Sequence, residues 1–149
     1  MNILVINGPN LNFLGIREPS IYGEQSYDDL CREIRDYAFK NEINVKLFQS
    51  NHEGAIIDEI QNAYTSKYDG IVINPGALAH YSYALYDALK SVNLIKVEVH
   101  LSNINAREDF RRNSVTAKAC DRMFYGHGFK GYLYAIDYIK NAAINKSLR

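Results

Sequence analysis

The sequence has little cysteine, no excess of charge of either sign and no long hydrophobic run. Its two cysteines, Cys31 and Cys120, are too few for a disulfide framework and lack metal-ligand spacing, so we expect each to pack as a small apolar residue. The 17 basic residues balance 17 acidic ones, which argues against a general nucleic-acid binder. A small anionic ligand remains compatible, because it needs only local charge. No apolar run approaches the length of a membrane span.

Length and composition indicate one ordinary globular domain. Of 149 residues, 47% are hydrophobic and 23% are charged, which allows a proper core and is typical of neither disordered nor membrane proteins. No repeat, linker or low-complexity segment interrupts the chain, so we expect a single domain over residues 1–149. Met1 and Asn2 lead directly into an apolar run, without the features of a signal peptide, and this predicts a cytoplasmic protein.

Short apolar runs alternate along the chain with segments of helical periodicity. Strands are predicted at 3–6, 43–49, 70–73, 95–99 and 122–125, and helices at 26–41, 54–66, 81–92, 107–118 and 132–144. This alternation is typical of parallel βαβ units. About five such units predict an α/β fold with a flavodoxin-like, doubly wound open parallel sheet of five strands in the order 2-1-3-4-5.

The connection after the first predicted strand is unusually long. Strand-to-helix loops usually take a few residues, but here no helical pattern begins before Ser26, which is a plausible helix N-cap. The intervening segment carries polar or charged side chains at Asn10, Asn12, Arg17 and Tyr22. We expect it to form a lid over a site at the end of the first strand.

Polar residues also follow the other predicted strands. Doubly wound sheets bind ligands beyond the carboxyl ends of their strands. At those ends lie Asn7, residues 49–54, Asn74 with His80, residues 98–103, and residues 126–128. Amides, imidazoles and small residues should therefore gather at one rim of the sheet.

Taken singly, these residues allow two interpretations. Glu98 and His100 share a strand face, so the carboxylate would orient the imidazole and favour its charged form for acid catalysis; a purely structural histidine is the alternative. Arg107 and Arg111 are spaced to share a helix face, either as a solvated surface or as an anion site. Tyr22 is one of 12 tyrosines, and a tyrosine with a pKa of about 10 acts as a base only beside cations that stabilise the phenolate.

Taken together, the motifs resemble the type II 3-dehydroquinate dehydratases. In order and at the spacing of that family, they span the chain from Ile3 to about residue 135. They are Asn7-Gly-Pro-Asn-Leu-Asn12, Gly15-Ile-Arg-Glu-Pro-Ser-Ile-Tyr-Gly23, Gln49-Ser-Asn-His-Glu-Gly54, Ile73-Asn-Pro-Gly-Ala77 with His80, and Glu98-Val-His-Leu-Ser-Asn103 with Arg107-Glu-Asp-Phe-Arg111.

The resemblance implies a reversible dehydration of 3-dehydroquinate to 3-dehydroshikimate, a step of the shikimate pathway to aromatic amino acids. The reaction is an anti elimination through an enolate, with no metal, no organic cofactor and no lysine imine. By position, Tyr22 resembles the base that removes the proton beside the ketone. Arg17 resembles the lid arginine that stabilises the phenolate, and Arg107 lies near the same tyrosine. Asn10 resembles the residue that holds the enolate oxygen through water.

On the leaving-group side, His100 resembles the acid that protonates the departing hydroxyl, and Glu98 orients it. Asp87 matches a residue that reaches the site of a neighbouring subunit, since the family assembles trimers into a dodecamer. Substrate contacts are implied for Asn74, His80, Leu101, Ser102 and Arg111.

The segment around the fifth predicted strand departs from the family pattern. Arg122, Phe124 and His127 are unusual there, because the family has a glycine near Arg122 and smaller apolar residues around that strand. None of the three is at a catalytic position, so we expect an effect on packing or assembly rather than on activity.

Three other classes of protein are compatible with such a fold. A receiver-like domain would need acidic residues after the first strand, an aspartate after the third and a lysine after the fifth, where this chain has Asn7, Asn74 and His127. A flavin or nucleotide module would need a glycine- or hydroxyl-rich turn that leads directly into the first helix. A catalytically inactive binding protein is disfavoured, since every implied role is filled by the expected residue type.

Overall fold

A five-stranded parallel sheet forms the centre of the protein, in a computed structural model that describes residues 1–148. Its strands are β1 (Asn2–Asn7), β2 (Asn44–Gln49), β3 (Gly70–Asn74), β4 (Ile95–His100) and β5 (Arg122–Tyr125). They lie in the order β2-β1-β3-β4-β5, and each neighbouring pair is parallel. The predicted flavodoxin-like α/β sheet and its strand order are therefore confirmed.

Helices cover both faces of this sheet. The short helix α1 (Pro19–Tyr22) lies in the connection after β1, and the helices that cover the faces are α2 (Tyr27–Lys40), α3 (Glu53–Thr65), α4 (Tyr83–Ser91) and α5 (Lys130–Ser147). Side chains of α2 and α5 form one apolar core with one sheet face, and side chains of α3 and α4 form a second core with the other. Because β1 and β3 are buried on both faces, their sequences are almost continuously apolar. No helix within residues 1–148 is long and apolar enough to span a membrane.

Two serines begin helices on opposite faces of the sheet. Ser26 Oγ accepts from the Asp29 N–H at 3.1 Å while the Asp29 carboxylate accepts from the Ser26 N–H, so the predicted N-cap is part of a capping box. Ser82 Oγ accepts from the Leu85 N–H at 3.0 Å and begins α4. This helix therefore starts two residues later than predicted, and Tyr81, the first residue of the predicted helix, is 62% exposed.

The predicted helix over 107–118 is wrong. The chain forms two short 3₁₀ segments there, Asp109–Arg112 and Thr116–Ala119, and a third precedes them at Ile104–Ala106. Local side-chain bonds compete with a continuous helix here, because Asn103 Oδ1 accepts from the Asn105 N–H and Ser114 Oγ accepts from the Ala117 N–H. Arg107 and Arg111 consequently do not share one helix face.

Gly8 joins the end of β1 to the end of β3, and its N–H donates to the Asn74 carbonyl at 2.8 Å. A Cβ at this position would lie 2.5 Å from the Pro75 carbonyl oxygen, which is backbone and cannot rotate away. We expect Gly8→Ala to destabilise the fold by about 1–3 kcal/mol, the typical cost of overpacking. Thermal unfolding measures this effect. Gly54→Ala is the control, because a Cβ there meets nothing within 4 Å, and an equal loss in both variants would contradict the prediction.

Candidate active site

One cavity lies at the carboxyl ends of the strands and brings together most residues with a predicted role. Leu11, Leu14 and Ile104 add apolar lining. Glu98 lies behind the cavity wall in contact with His100. The predicted residues that line the cavity are Asn10, Arg17, Tyr22, Asn74, His80, His100, Leu101, Ser102, Arg107 and Arg111.

Tyr22 lies against two guanidinium groups. Its position at the end of α1 brings the half-buried ring against Arg107, whose Nη1 donates to the Tyr22 hydroxyl oxygen at 2.5 Å. The guanidinium carbons of Arg17 and Arg107 lie 4.6 and 5.0 Å from the ring centroid. Both cations would stabilise negative charge on the phenol oxygen, which is the condition for a tyrosine to act as a base.

Carboxylates lie close to Arg107 and Arg111 on this side of the cavity. Arg107 lies within 4 Å of Glu18 and Glu108, and Arg111 Nε donates to Glu108 Oε2 at 2.7 Å. The Glu108 backbone N–H and the Arg111 guanidinium hold the pKa of the Glu108 carboxyl below its usual value. Glu108 therefore stays charged at neutral pH and keeps the two guanidinium groups close together.

His100 is fixed by a buried carboxylate. Its Nε2 donates to Glu98 Oε2 at 2.7 Å, and Glu98 is fully buried. The hydroxyl of Ser114 donates to the same oxygen at 2.5 Å, and the hydroxyl of Thr116 donates to the other oxygen. Because Nε2 is engaged with Glu98, Nδ1 is the ring nitrogen of His100 that can exchange a proton with a ligand.

The Asn74 amide has a fixed orientation. Its Nδ2 donates to the Tyr132 hydroxyl oxygen at 2.9 Å, and its Oδ1 accepts from the Gly76 N–H at 3.1 Å. Tyr132 in turn donates to Asn7 Oδ1 at 2.6 Å. Complete burial raises the pKa of Tyr132, so its hydroxyl stays protonated and holds the two asparagines on β1 and β3 together.

His80 presents a hydrogen-bond acceptor to the cavity. Its Nδ1 donates to the Asn113 carbonyl oxygen at 2.9 Å. Burial lowers the pKa of His80, so the ring is neutral at neutral pH and its Nε2 carries a free lone pair. This arrangement suits a ligand hydroxyl.

The end of β2 supports Asn10. The Asn10 N–H donates to Asn51 Oδ1 at 2.9 Å, while its backbone is left-handed with φ of 71°. Gln49 Nε2 donates to the Gly8 carbonyl and to Asn51 Oδ1, each at 3.2 Å. Residues 49–54, which the sequence places at the rim without a role, thus hold the loop that carries Asn10.

Asp87 is the one predicted residue that the structure leaves apart from the others. It is exposed on α4 and does not line the cavity. The three unusual residues near β5 also lie outside the cavity. Arg122 stacks on Phe124, while Phe124 and His127 each pack against the ring of Tyr134.

Sequence reasoning missed three residues that support the site: Ser114, Thr116 and Tyr132. The helix prediction for 107–118 concealed the first two, although hydroxyls two residues apart are also compatible with an extended segment. Tyr132 carries the only hydroxyl among the buried side chains that α5 contributes to the core, and that would have been a usable signal.

Comparison with known proteins decides the family. The family model described as dehydroquinase class II matches residues 1–140 of this chain. The chain belongs to the class II dehydroquinases. The resemblance predicted from the motifs is confirmed.

Other class II dehydroquinases are similar over nearly their whole length. The 3-dehydroquinate dehydratase of Clostridium acetobutylicum is 60% identical over 141 residues, which cover 95% of this chain and 97% of that relative. The crystal structure of type II dehydroquinase from Butyrivibrio crossotus has 58% identity and a TM-score of 0.93, and the match covers 94% and 97% of the two chains. The enzyme from Propionibacterium acnes has 40% identity and a TM-score of 0.89, with 93% and 94% covered.

Proposed function

We propose that this class II dehydroquinase is a hydro-lyase that reversibly dehydrates 3-dehydroquinate to 3-dehydroshikimate, a step of the shikimate pathway. The observation that carries the proposal is that Tyr22 lies against two guanidinium groups in the same cavity as His100, which Glu98 orients. That arrangement supplies a base and an acid, and an elimination needs both. Relatives that cover nearly the whole chain are named 3-dehydroquinate dehydratase, which supports the assignment.

The first step is removal of a proton beside the ketone. The Tyr22 phenolate takes this proton, and the C–H electron pair moves toward the carbonyl to form an enolate. Arg17 and Arg107 stabilise the phenolate before transfer, because both guanidinium groups contact the ring. The charge that develops on the enolate oxygen needs a preorganised donor, and Asn10 provides it through a bound water.

In the second step the enolate re-forms the ketone and expels the tertiary hydroxyl. Hydroxide leaves poorly, so His100 donates a proton to the departing oxygen and water is released. Glu98 holds the ring in orientation and stabilises its charged form. The product has a carbon–carbon double bond conjugated with the ketone.

Polar groups that line the cavity, and the segment between β1 and α2, orient the substrate. Arg111 attracts the substrate carboxylate by its positive charge. The Leu101 backbone and the Ser102 hydroxyl form hydrogen bonds with the same carboxylate. Asn74 and His80, both held by neighbouring groups, bind the ring hydroxyls. Closure of the segment between β1 and α2 over the substrate would exclude water and strengthen each of these interactions.

A direct assay tests the proposed activity. The purified protein is mixed with 3-dehydroquinate in the presence of a chelator, and the ultraviolet absorbance of the conjugated product is followed. We expect the absorbance to rise, with no requirement for an added metal or cofactor. No rise with folded, oligomeric protein would reject the activity and favour a catalytically inactive binding protein.

The proposed assembly is a dodecamer of trimers in which Asp87 reaches the cavity of a neighbouring subunit. Its exposure on α4 supports this, as does the exposure of Tyr81 and Tyr83 at the start of that helix, at 62% and 72%. The cytoplasmic location stays a prediction from the sequence.

Asp87→Ala should lower kcat/KM by about ten-fold or more, because a hydrogen bond to a charged group contributes about 1.5–3 kcal/mol. Steady-state kinetics and sedimentation measure the effect on activity and assembly. Asp58→Ala, at an exposed position of α3, is the matched control and should retain activity. Full activity in a monomeric preparation would rule out the shared site.

A further inference from the structure

We propose that Ser114 and Thr116 are positioning residues that act on catalysis through Glu98 and His100. The inference rests on the proposed function, since it gives His100 the role of acid. Neither Ser114 nor Thr116 lines the cavity, so neither would contact a bound substrate directly. Their side chains decide how rigidly the imidazole is held.

Three hydrogen bonds hold the carboxylate of Glu98. Ser114 Oγ donates to Glu98 Oε2 at 2.5 Å, the oxygen that also accepts from His100 Nε2 at 2.7 Å. Thr116 donates its hydroxyl to Oε1. Each carboxylate oxygen therefore has a hydroxyl donor, and His100 adds the third hydrogen bond.

Burial makes these donors necessary. Glu98 and Thr116 have no exposed surface, and Ser114 is 7% exposed, so bulk water cannot replace a missing hydroxyl. A buried carboxylate oxygen without a donor is strongly destabilised. The carboxylate would then rotate toward another donor or take up a proton, and in either case its hold on His100 would loosen.

The same short segment supports the second histidine of the site. Residues 113–116 contain Asn113, whose carbonyl oxygen accepts from His80 Nδ1 at 2.9 Å. The Val115 N–H donates to the Ala79 carbonyl at 2.7 Å and so ties this segment to the turn that carries His80. The rings of His80 and His100 are stacked with centroids 6.2 Å apart. Residues 113–116 thus fix the spacing of both imidazoles.

Thr116→Val removes the hydroxyl and keeps the shape of the side chain. We expect kcat to fall by about 10- to 100-fold, the range seen when the hydrogen-bond partner of a metal-ligating histidine is lost, with KM changed less than about two-fold. Thr116→Ser keeps the donor and should restore most of the rate. Thr65→Val removes an exposed hydroxyl outside the cavity and should leave the kinetics unchanged.

A double-mutant cycle shows whether Thr116 acts through His100. In a His100→Ala background, Thr116→Val should lower kcat by less than about two-fold, because the coupled group is already absent. A loss of packing alone would lower kcat equally in both backgrounds. An equal loss would therefore overturn the proposal.

Crystal structures of the variants give a readout that does not depend on turnover. In Thr116→Val the Glu98 carboxylate should rotate and the His100–Glu98 separation, 2.7 Å here, should lengthen, while Thr116→Ser should keep it.

If the parent protein lacked the activity, the proposed function would fail but this comparison would still test the support of His100. If Thr116→Val does not fold, Ser114→Ala answers the same question through the other donor. Unchanged geometry together with unchanged kcat would overturn the inference.

Discussion

Tyr22→Phe should lower kcat by about 10²–10⁴-fold, the contribution typical of a positioned base. The substitution removes only the hydroxyl oxygen that accepts from Arg107. Phenylalanine keeps the aromatic ring, so the stacking with Arg17 and Arg107 should persist and the lid should stay in place. Initial rates of product absorbance measure the loss.

A matched control separates loss of the base from a general effect on the protein. Tyr64→Phe removes the hydroxyl of a tyrosine that is 58% exposed and lies outside the cavity, and it should leave turnover unchanged. Thermal unfolding of both variants checks that the fold is preserved. Near-normal turnover by Tyr22→Phe would remove Tyr22 from the role of base.

His100→Ala should also lower kcat by about 10²–10⁴-fold, because the tertiary hydroxyl would have to leave without a proton. Alanine additionally takes one donor from the buried carboxylate of Glu98, at a cost of about 1–3 kcal/mol in stability. Steady-state kinetics and thermal unfolding measure the two effects separately.

His100→Gln distinguishes the role of His100 as an acid from its structural role as a hydrogen-bond donor to Glu98. Its amide N–H can still donate to Glu98, but an amide cannot supply a proton to a leaving group. We expect the stability of this variant to exceed that of His100→Ala while its turnover stays as low. His127→Ala, at an exposed histidine outside the cavity, should be active. A negligible loss in His100→Gln would assign the acid to another group.

The central strands of the sheet could be predicted because β1, β3 and β4 are short buried runs that end at strong breaks. Gly70–Asn74 is buried throughout, and Asn74-Pro75 ends it sharply. Ser26 could be predicted as an N-cap since its partner Asp29 lies three residues away. In such cases the information is local in sequence, and tertiary packing reinforces it.

Residues 107–118 could not be predicted in the same way. Their periodicity is compatible with a helix, but Ser114 and Thr116 gain more from Glu98, which lies 16 and 18 residues earlier in the chain. Tertiary hydrogen bonds to a buried carboxylate outweigh a weak helix propensity. The polar network that supports the site therefore becomes visible only when the chain is folded.

Part of the site depends on contacts between distant parts of the chain. Tyr22 meets Arg107 across 85 residues, and no local pattern predicts that pair. The motifs nevertheless indicated both residues, because the family resemblance carries their spatial relation. The clustering of polar residues at the strand ends could be predicted without the family resemblance, because parallel strands bring their carboxyl ends to one edge of the sheet.

Deuterium placed beside the ketone tests whether the base and the acid act on opposite faces of the substrate ring, as an anti elimination requires. 3-Dehydroquinate is labelled on the ring face opposite the leaving hydroxyl, and the product is analysed by mass spectrometry at low conversion. With Tyr22 as base and His100 as acid in an anti elimination, the parent protein should form product that has lost the deuterium. Product that retains the deuterium would contradict the assignment of the two groups to an anti elimination.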